Sequence, residues 1–296
     1  MTLPGRRDIS CRSPRQRWRR AVQLVMLMSF PASFYYFSPV IAAMGAAEGI
    51  VTGSVLLFGL LLASSLLTGR LFCSWICPAG ALGDVAAEIR PRRVRRGRIH
   101  RIKYLVWAPW LALMLLLFMN HGGASEVQPF YGTEWGLSTT SAGSLTVYLV
   151  VVLVFVALPL AVGRRAACHT ICWMAPFMIA GRWVGNTLRV PAVRLAAVPG
   201  CAGCGRCSTA CPMSLDVQQM ANRLSMGHSD CMLCGECIDV CRARVISYRW
   251  MAPARPPGVD QFVSFSVFRR KATAKRLSTT NEKTYTISSL NGTSMP

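Results

Sequence analysis

Apolar residues in this chain do not alternate with polar ones. They run in blocks, and four long blocks stand out: Ala21–Ala43, Gly49–Thr68, Ile102–Met119 and Leu145–Val162. Each approaches or reaches the ~20 residues that an α-helix, rising ~1.5 Å per residue, needs to cross the hydrocarbon layer of a bilayer. Backbone N–H and C=O groups find no water in lipid, so blocks of this kind form helices and not open strands. The pattern predicts a mainly α protein built on a four-helix transmembrane bundle. Pro109 and Pro159 fall inside or near the ends of blocks, where neighbouring helices absorb the lost bonds. Cys172–Ala180 and Val190–Val198 are also apolar but too short to cross. The first of these reads as an interfacial or re-entrant piece.

Composition sharpens this picture. Apolar residues make up 52% of the 296 and charged residues 15%, with mean hydropathy +0.37, a balance that suits lipid as solvent for much of the chain. The net charge of +21 raises nucleic acid as a partner, but the placement of the charge excludes it. Arg6, Arg7, Arg12, Arg15, Arg17, Arg19 and Arg20 precede the first block. Arg90, Arg92, Arg93, Arg95, Arg96, Arg98, Arg101 and Lys103 separate the second from the third, and Arg164, Arg165 and Arg182 follow the fourth. The first-to-second connection and Asn120–Ser144 contain no Lys or Arg. The positive-inside rule then puts both termini in the cytoplasm and the 121–144 loop outside, in a multi-pass protein of a bacterial inner membrane in contact with anionic lipid. The basic start followed by an apolar run resembles a signal peptide, but the run is long and holds two prolines, so a retained span is expected. In the outer loop, His121, Glu126, Tyr131, Glu134 and Trp135 read as boundary residues, as does Glu48.

Thirteen cysteines change the picture again. Cys11 stands alone, and the other twelve fall in close groups. Cys201, Cys204, Cys207 and Cys211 are followed by Pro212; Cys231, Cys234, Cys237 and Cys241 repeat the spacing 30 residues on. This C-x2-C-x2-C-x3-C run is that of bacterial two-cluster ferredoxins, in which three thiolates on a tight loop cap one cube and the fourth reaches the partner cube. One [4Fe-4S] cluster is expected on Cys201, Cys204, Cys207 and Cys241, the other on Cys211, Cys231, Cys234 and Cys237. Two zinc sites are the rival, but zinc gives no reason for the duplicated third and fourth cysteines. Such thiols also imply a reducing compartment. Cys73 and Cys77 follow the second block, and Cys168 and Cys172 follow the fourth, both as C-x3-C on the expected cytoplasmic face. A third four-iron cluster shared by the two pairs is the economical expectation. Buried apolar thiols, another metal, a redox disulfide and separate partial sites remain as alternatives.

The division expected along the chain is a basic N-terminus over 1–20, a membrane domain over 21–198, a small cytoplasmic ferredoxin-like domain over 199–248 and a disordered tail over 249–296. Over roughly Gln23–Tyr248, with Phe72–Gly80, Cys168–Cys172 and the double run in that order, the chain resembles the membrane-bound 4Fe-4S polyferredoxin family. That family includes the quinol dehydrogenase membrane component of periplasmic nitrate reductase and cytochrome oxidase accessory proteins. Trp173 stands where the family often has proline. The resemblance implies an electron carrier that relays electrons between a quinol pool and a redox partner protein. A redox assembly or regulatory factor for a respiratory metalloenzyme is the alternative.

Overall fold

The computed structural model describes residues 13–94 and 99–253. The expectations for Cys11, for Arg6, Arg7, Arg12, Arg95, Arg96 and Arg98, and for the tail beyond Pro253 fall outside the described residues.

The first apolar block is not one helix. Helix α1 (Pro14–Met28) starts on Ser13, whose side chain accepts from Gln16 N, with Pro14 at its first position. It gives way to the short α2 (Phe30–Ser33), a 3-10 turn at Phe34–Phe37 and then α3 (Pro39–Ala47). The prolines explain the breaks. Pro31 removes an N–H and crowds the preceding turn, and Ser38, the residue before Pro39, is held extended at ψ 122°.

Strand β1 (Ile50–Thr52) leads into α4 (Gly53–Thr68), which is followed by the short α5 (Leu71–Trp75) and by α6 (Pro78–Ile89). Next come α7 (Ile99–Asn120), β2 (Glu126–Gln128) and α8 (Ala142–Val162), the last fixed at its start by a reciprocal Ser141–Ser144 capping box. Among the described residues, α7 and α8 are the two helices long and apolar enough to cross a membrane; α4 is shorter, at 16 residues. Strands β1 and β2 pair in parallel, Ile50 beside Glu126, and tie the α3–α4 and α7–α8 connections together.

A duplication organises the middle of the chain. Helix α8 is followed by the five-residue α9 (Ala166–Thr170) and by α10 (Met174–Thr187), as α4 is by α5 and α6. The partners are exchanged: α10 packs along α4, and α6 packs along α8. Small residues allow the close approach, since a Cβ on Gly181 would collide with Ser65 Oγ and the Leu62 carbonyl. The expected interfacial piece at 172–180 is therefore the start of a full helix that runs on to Thr187. Its length was hidden because Arg182 and Asn186 interrupt the apolar run.

Residues 190–198, expected only as a short apolar piece, form β3 (Ala192–Ala197), antiparallel to β4 (Ile246–Met251), with Ala192 opposite Met251. The pair brackets the cysteine-rich segment, which contains α11 (Arg206–Ala210), α12 (Val217–Asn222) and α13 (Glu236–Asp239). Helices α11 and α13 each begin after a glycine in the left-handed region, Gly205 at φ 70° and Gly235 at φ 79°, so the 30-residue repeat is structural as well as sequential.

Candidate functional site

The two C-x3-C turns share a pattern of backbone hydrogen bonds. Cys73 N donates to Arg70 O (3.1 Å) and Cys168 N to Arg165 O (2.9 Å); Cys77 N donates to Phe72 O (3.0 Å) and Cys172 N to Ala167 O (3.1 Å). The preceding helices end alike, Gly69 N on Ser65 O and Gly163 N on Pro159 O. The second cysteine of each turn then receives a backbone N–H from the helix it introduces, from Gly80 for Cys77 and from Ala175 for Cys172. With the helices exchanged between halves, the four thiols converge. All four are free and buried. Burial pushes the Cys77 thiol well above its ordinary value, and the neighbouring thiols of Cys73, Cys172 and Cys168 push the same way. Burial, then Cys168 and Cys73, raise Cys172 to about 12.

The later cysteines sort across the two runs. Burial lifts the Cys237 thiol well up, with Cys234, Cys231, Cys211 and Cys207 adding to it. Cys211 and Cys231 each rise to about 11, chiefly by burial, and each feels a thiol of the same group. Cys207 responds to Cys201 and Cys241 after its own burial. Cys211 thus lies near Cys231 and Cys237, and Cys241 near Cys207. Cys204 is exposed, whereas Cys211, Cys234 and Cys237 are buried. Backbone N–H groups of Met213, Leu215, Leu233 and Glu236 point at the second group's sulfurs. Thiol-only donor sets with backbone N–H support fit iron–sulfur ligation. Among the described residues, no group of three or more His, Cys, Asp or Glu side chains could hold a single metal ion.

An ionic seam joins these sites. The Asp84 carboxylate accepts from Arg165 Nε (2.7 Å) and Nη2 (2.6 Å), from Arg19 Nη1 (2.8 Å) and from Gln23 Nε2 (3.2 Å). Burial alone would raise its pKa, but Arg165 and then Arg19 hold it far below the usual carboxylate range. Arg19 also meets Glu236 at 2.8 Å, beside Cys237. Lys103 and Arg70 both reach Asp230, at 2.5 and 3.3 Å, beside Cys231. Gln16 donates to Cys234 O (3.1 Å) and to Asp239 (2.6 Å). Ser74 Oγ donates to Met232 O at 2.8 Å, which links the Cys73 turn directly to the loop between Cys231 and Cys234.

Sequence reasoning assigned Arg19, Lys103 and Arg165 to topology and lipid contact, assigned no role to Arg70, and missed the burial of all four. Arg19, Arg70, Lys103 and Arg165 are at most 2% exposed in their side chains. A signal was available: R-x-x-C-x3-C occurs twice, as Arg70–Cys77 and Arg165–Cys172, each with Ile before the second cysteine. Trp135 is fully exposed, and Val127, Phe130 and Leu137 of the same connection are also exposed.

Comparison with known proteins follows the same division. Residues 50–97 match a family described as a 4Fe-4S binding domain, and residues 196–242 match a 4Fe-4S dicluster domain. Two separate 4Fe-4S matches thus fall on one chain. The chain is 31% identical over 182 residues to the methylamine utilization ferredoxin-type protein MauN of Methylobacillus flagellatus, covering 60% of this chain and 57% of that one. It is 24% identical to the putative electron transport protein YccM of Escherichia coli (80% of this chain, 76% of the relative). It is also 24% identical to the ferredoxin-type protein NapH of Haemophilus influenzae (78% and 88%). The chain thus spans a little over half the length of the first of these relatives. No solved structure matches. The matches make the two regions 4Fe-4S binding domains, with 4Fe-4S clusters as their cofactors.

Proposed function

We propose that the chain is a multi-pass inner-membrane electron carrier that relays electrons between a quinol pool and a redox partner protein on the cytoplasmic side. The observation that carries this reading is the convergence of Cys73, Cys77, Cys168 and Cys172 at the ends of α4 and α8, bonded through Ser74 to the Met232 loop. The match over 50–97 contains only Cys73 and Cys77 as cysteines, so a cluster there needs two more ligands, and the fold offers Cys168 and Cys172. That quartet is the proposed third [4Fe-4S] site. The Cys201, Cys204, Cys207, Cys241 set and the Cys211, Cys231, Cys234, Cys237 set are the other two. Bound clusters supply one-electron chemistry; the chain's residues supply thiolates, backbone N–H donors and a dry surround that tune it.

Several features support the membrane placement. Helices α7 and α8 leave Leu105, Leu113, Leu116, Leu149, Val150 and Leu153 exposed, a surface that lipid would cover. The four spans proposed are the interrupted 21–43 segment, α4, α7 and α8. The basic residues Arg19, Arg70, Arg90, Lys103 and Arg164 lie at the cysteine end, as the positive-inside rule asks of a cytoplasmic face. The domain division at residue 199 moves outward in this proposal, since β3 and β4 carry the module's pairing from Ala192 to Met251.

The test is reduction of anaerobically purified protein in liposomes by a short-chain quinol, followed by cluster absorbance. Full-length protein should bleach on quinol addition, and the Cys73→Ala and Cys168→Ala variants should not. Clusters that respond to dithionite but not to quinol would refute the quinol arm.

A further inference from the structure

We propose that Arg70 and Arg165, the matched arginines of the two R-x-x-C-x3-C turns, are paired counter-cations that raise the potential of the cluster held by the quartet. The inference rests on the reading of the quartet as a [4Fe-4S] site. It adds residues that no ligand spacing identifies.

The two side chains occupy equivalent places and are equally hidden. Each stands three residues before the first cysteine of its turn and lends its carbonyl to that cysteine's N–H. Arg165 sits at φ 51°, a left-handed conformation that a non-glycine residue keeps only when its surroundings impose it. Its Nη1 donates to the Cys73 carbonyl (3.0 Å) and lies 3.0 Å from Met232 Sδ. Glycines make the room: a Cβ on Gly80 would stand 3.2 Å from Arg165 Nη1 and 2.5 Å from the Cys73 carbonyl, and one on Gly83 would stand 3.1 Å from Arg165 Cγ. Arg165 of the second turn is thus built into the first.

Arg70 supplies the second observation. It reaches Asp230 Oδ1 (3.3 Å) and Ser229 O (3.4 Å) through Nη1, while Nε and Nη2 are buried without a protein acceptor. A guanidinium 2% exposed with two idle donors is expensive unless an anion stands by. The quartet is that anion. Four thiolates around a cluster carry net negative charge, and reduction adds one electron with no bond made or broken. A cation held nearby, with both arms immobile, favours the reduced form. Asp84 opposes this through its ion pair with Arg165, so removing the acid should act in the opposite direction.

These signs give a test that a merely structural role would not pass. The measurement is a potentiometric titration of the intact, anaerobically purified protein in detergent, followed by electron paramagnetic resonance. The quartet signal is the one lost in Cys73→Ala. Arg70→Gln and Arg165→Gln should each lower its midpoint by at least a tenfold change in the reduced-to-oxidised ratio, which is 59 mV for a one-electron couple. Arg70→Lys should stay nearer the wild-type value. Asp84→Asn, which keeps the shape and loses the charge, should raise the midpoint, and it keeps the test alive if Arg165→Gln does not fold. Midpoints of Arg70→Gln and Asp84→Asn that coincide with wild type, with about twelve irons still bound, would overturn the inference alone. About eight irons in the wild-type protein would overturn the quartet reading and the inference with it.

Discussion

Replacing Asp84 with alanine should loosen three parts of the chain at once. Its carboxylate takes two bonds from Arg165, one from Arg19 and one from Gln23, so it joins α6 to the N-terminal helix and to the second cysteine turn. The arginines are 0% and 2% exposed, and the carboxylate itself is 20% exposed. Removing one partner of a buried ion pair costs about 3–5 kcal/mol, because the remaining charge stays buried. Arg19 keeps Glu236, and water can partly reach the vacated place, so the lower end applies: about 3 kcal/mol, or roughly a hundredfold in the folding equilibrium. The internal control is Glu88→Ala. The Glu88–Arg20 pair is 55% and 38% exposed, and its loss should cost no more than about 1 kcal/mol. Denaturant titration of the detergent-solubilised protein, read by tryptophan fluorescence, compares the two. Adding Arg165→Met to Asp84→Ala should cost less than the two single changes summed, since the pair then leaves together. Equal destabilisation by Asp84→Ala and Glu88→Ala would refute the seam as a structural element.

Two further expectations use the same titration. The carboxyl of Asp84 is held low by Arg165 and Arg19 against its burial, so its contribution is complete above the unfolded value of about 4 and is lost as pH falls below that. The gap between wild type and Asp84→Ala should therefore be flat from pH 8 to 5 and close only in acid; a gap that shrinks already between pH 8 and 6 would contradict this. Gly181→Ala should destabilise by about 1–3 kcal/mol, because its Cβ has nowhere to go between Ser65 and the Leu62 carbonyl. Gly59→Ala, with nothing within 4 Å, should be neutral or stabilise slightly.

Much of this architecture is legible in the chain, and the parts that are not share a cause. Helices α7 and α8 fall within three residues of the blocks that predict them, because a long unbroken apolar run has few alternatives to helix. The first block misleads because hydropathy is blind to Pro31 and to the extended Ser38. Helix α10 is hidden by Arg182, which turns out of the α4–α10 contact to donate to Val193 O at 3.1 Å. The cysteine groups are readable since ligand spacing is local, and the two 4Fe-4S matches fall on them. The buried cations are not, because their partners are remote: Arg19 meets Glu236 across 217 residues and Lys103 meets Asp230 across 127. Local pattern shows only a basic flank. The repeated R-x-x-C-x3-C was visible, yet its meaning depends on the exchanged packing of α4 with α10 and α8 with α6.

The central claim is that two turns from two halves of the chain make one cluster site. Iron and acid-labile sulfide per chain in anaerobically purified protein, beside Cys73→Ala and Cys168→Ala, test it most directly. The account predicts about twelve irons in the wild type, falling toward about eight in each variant, since either turn alone leaves the quartet incomplete. About eight irons in all three proteins would contradict it.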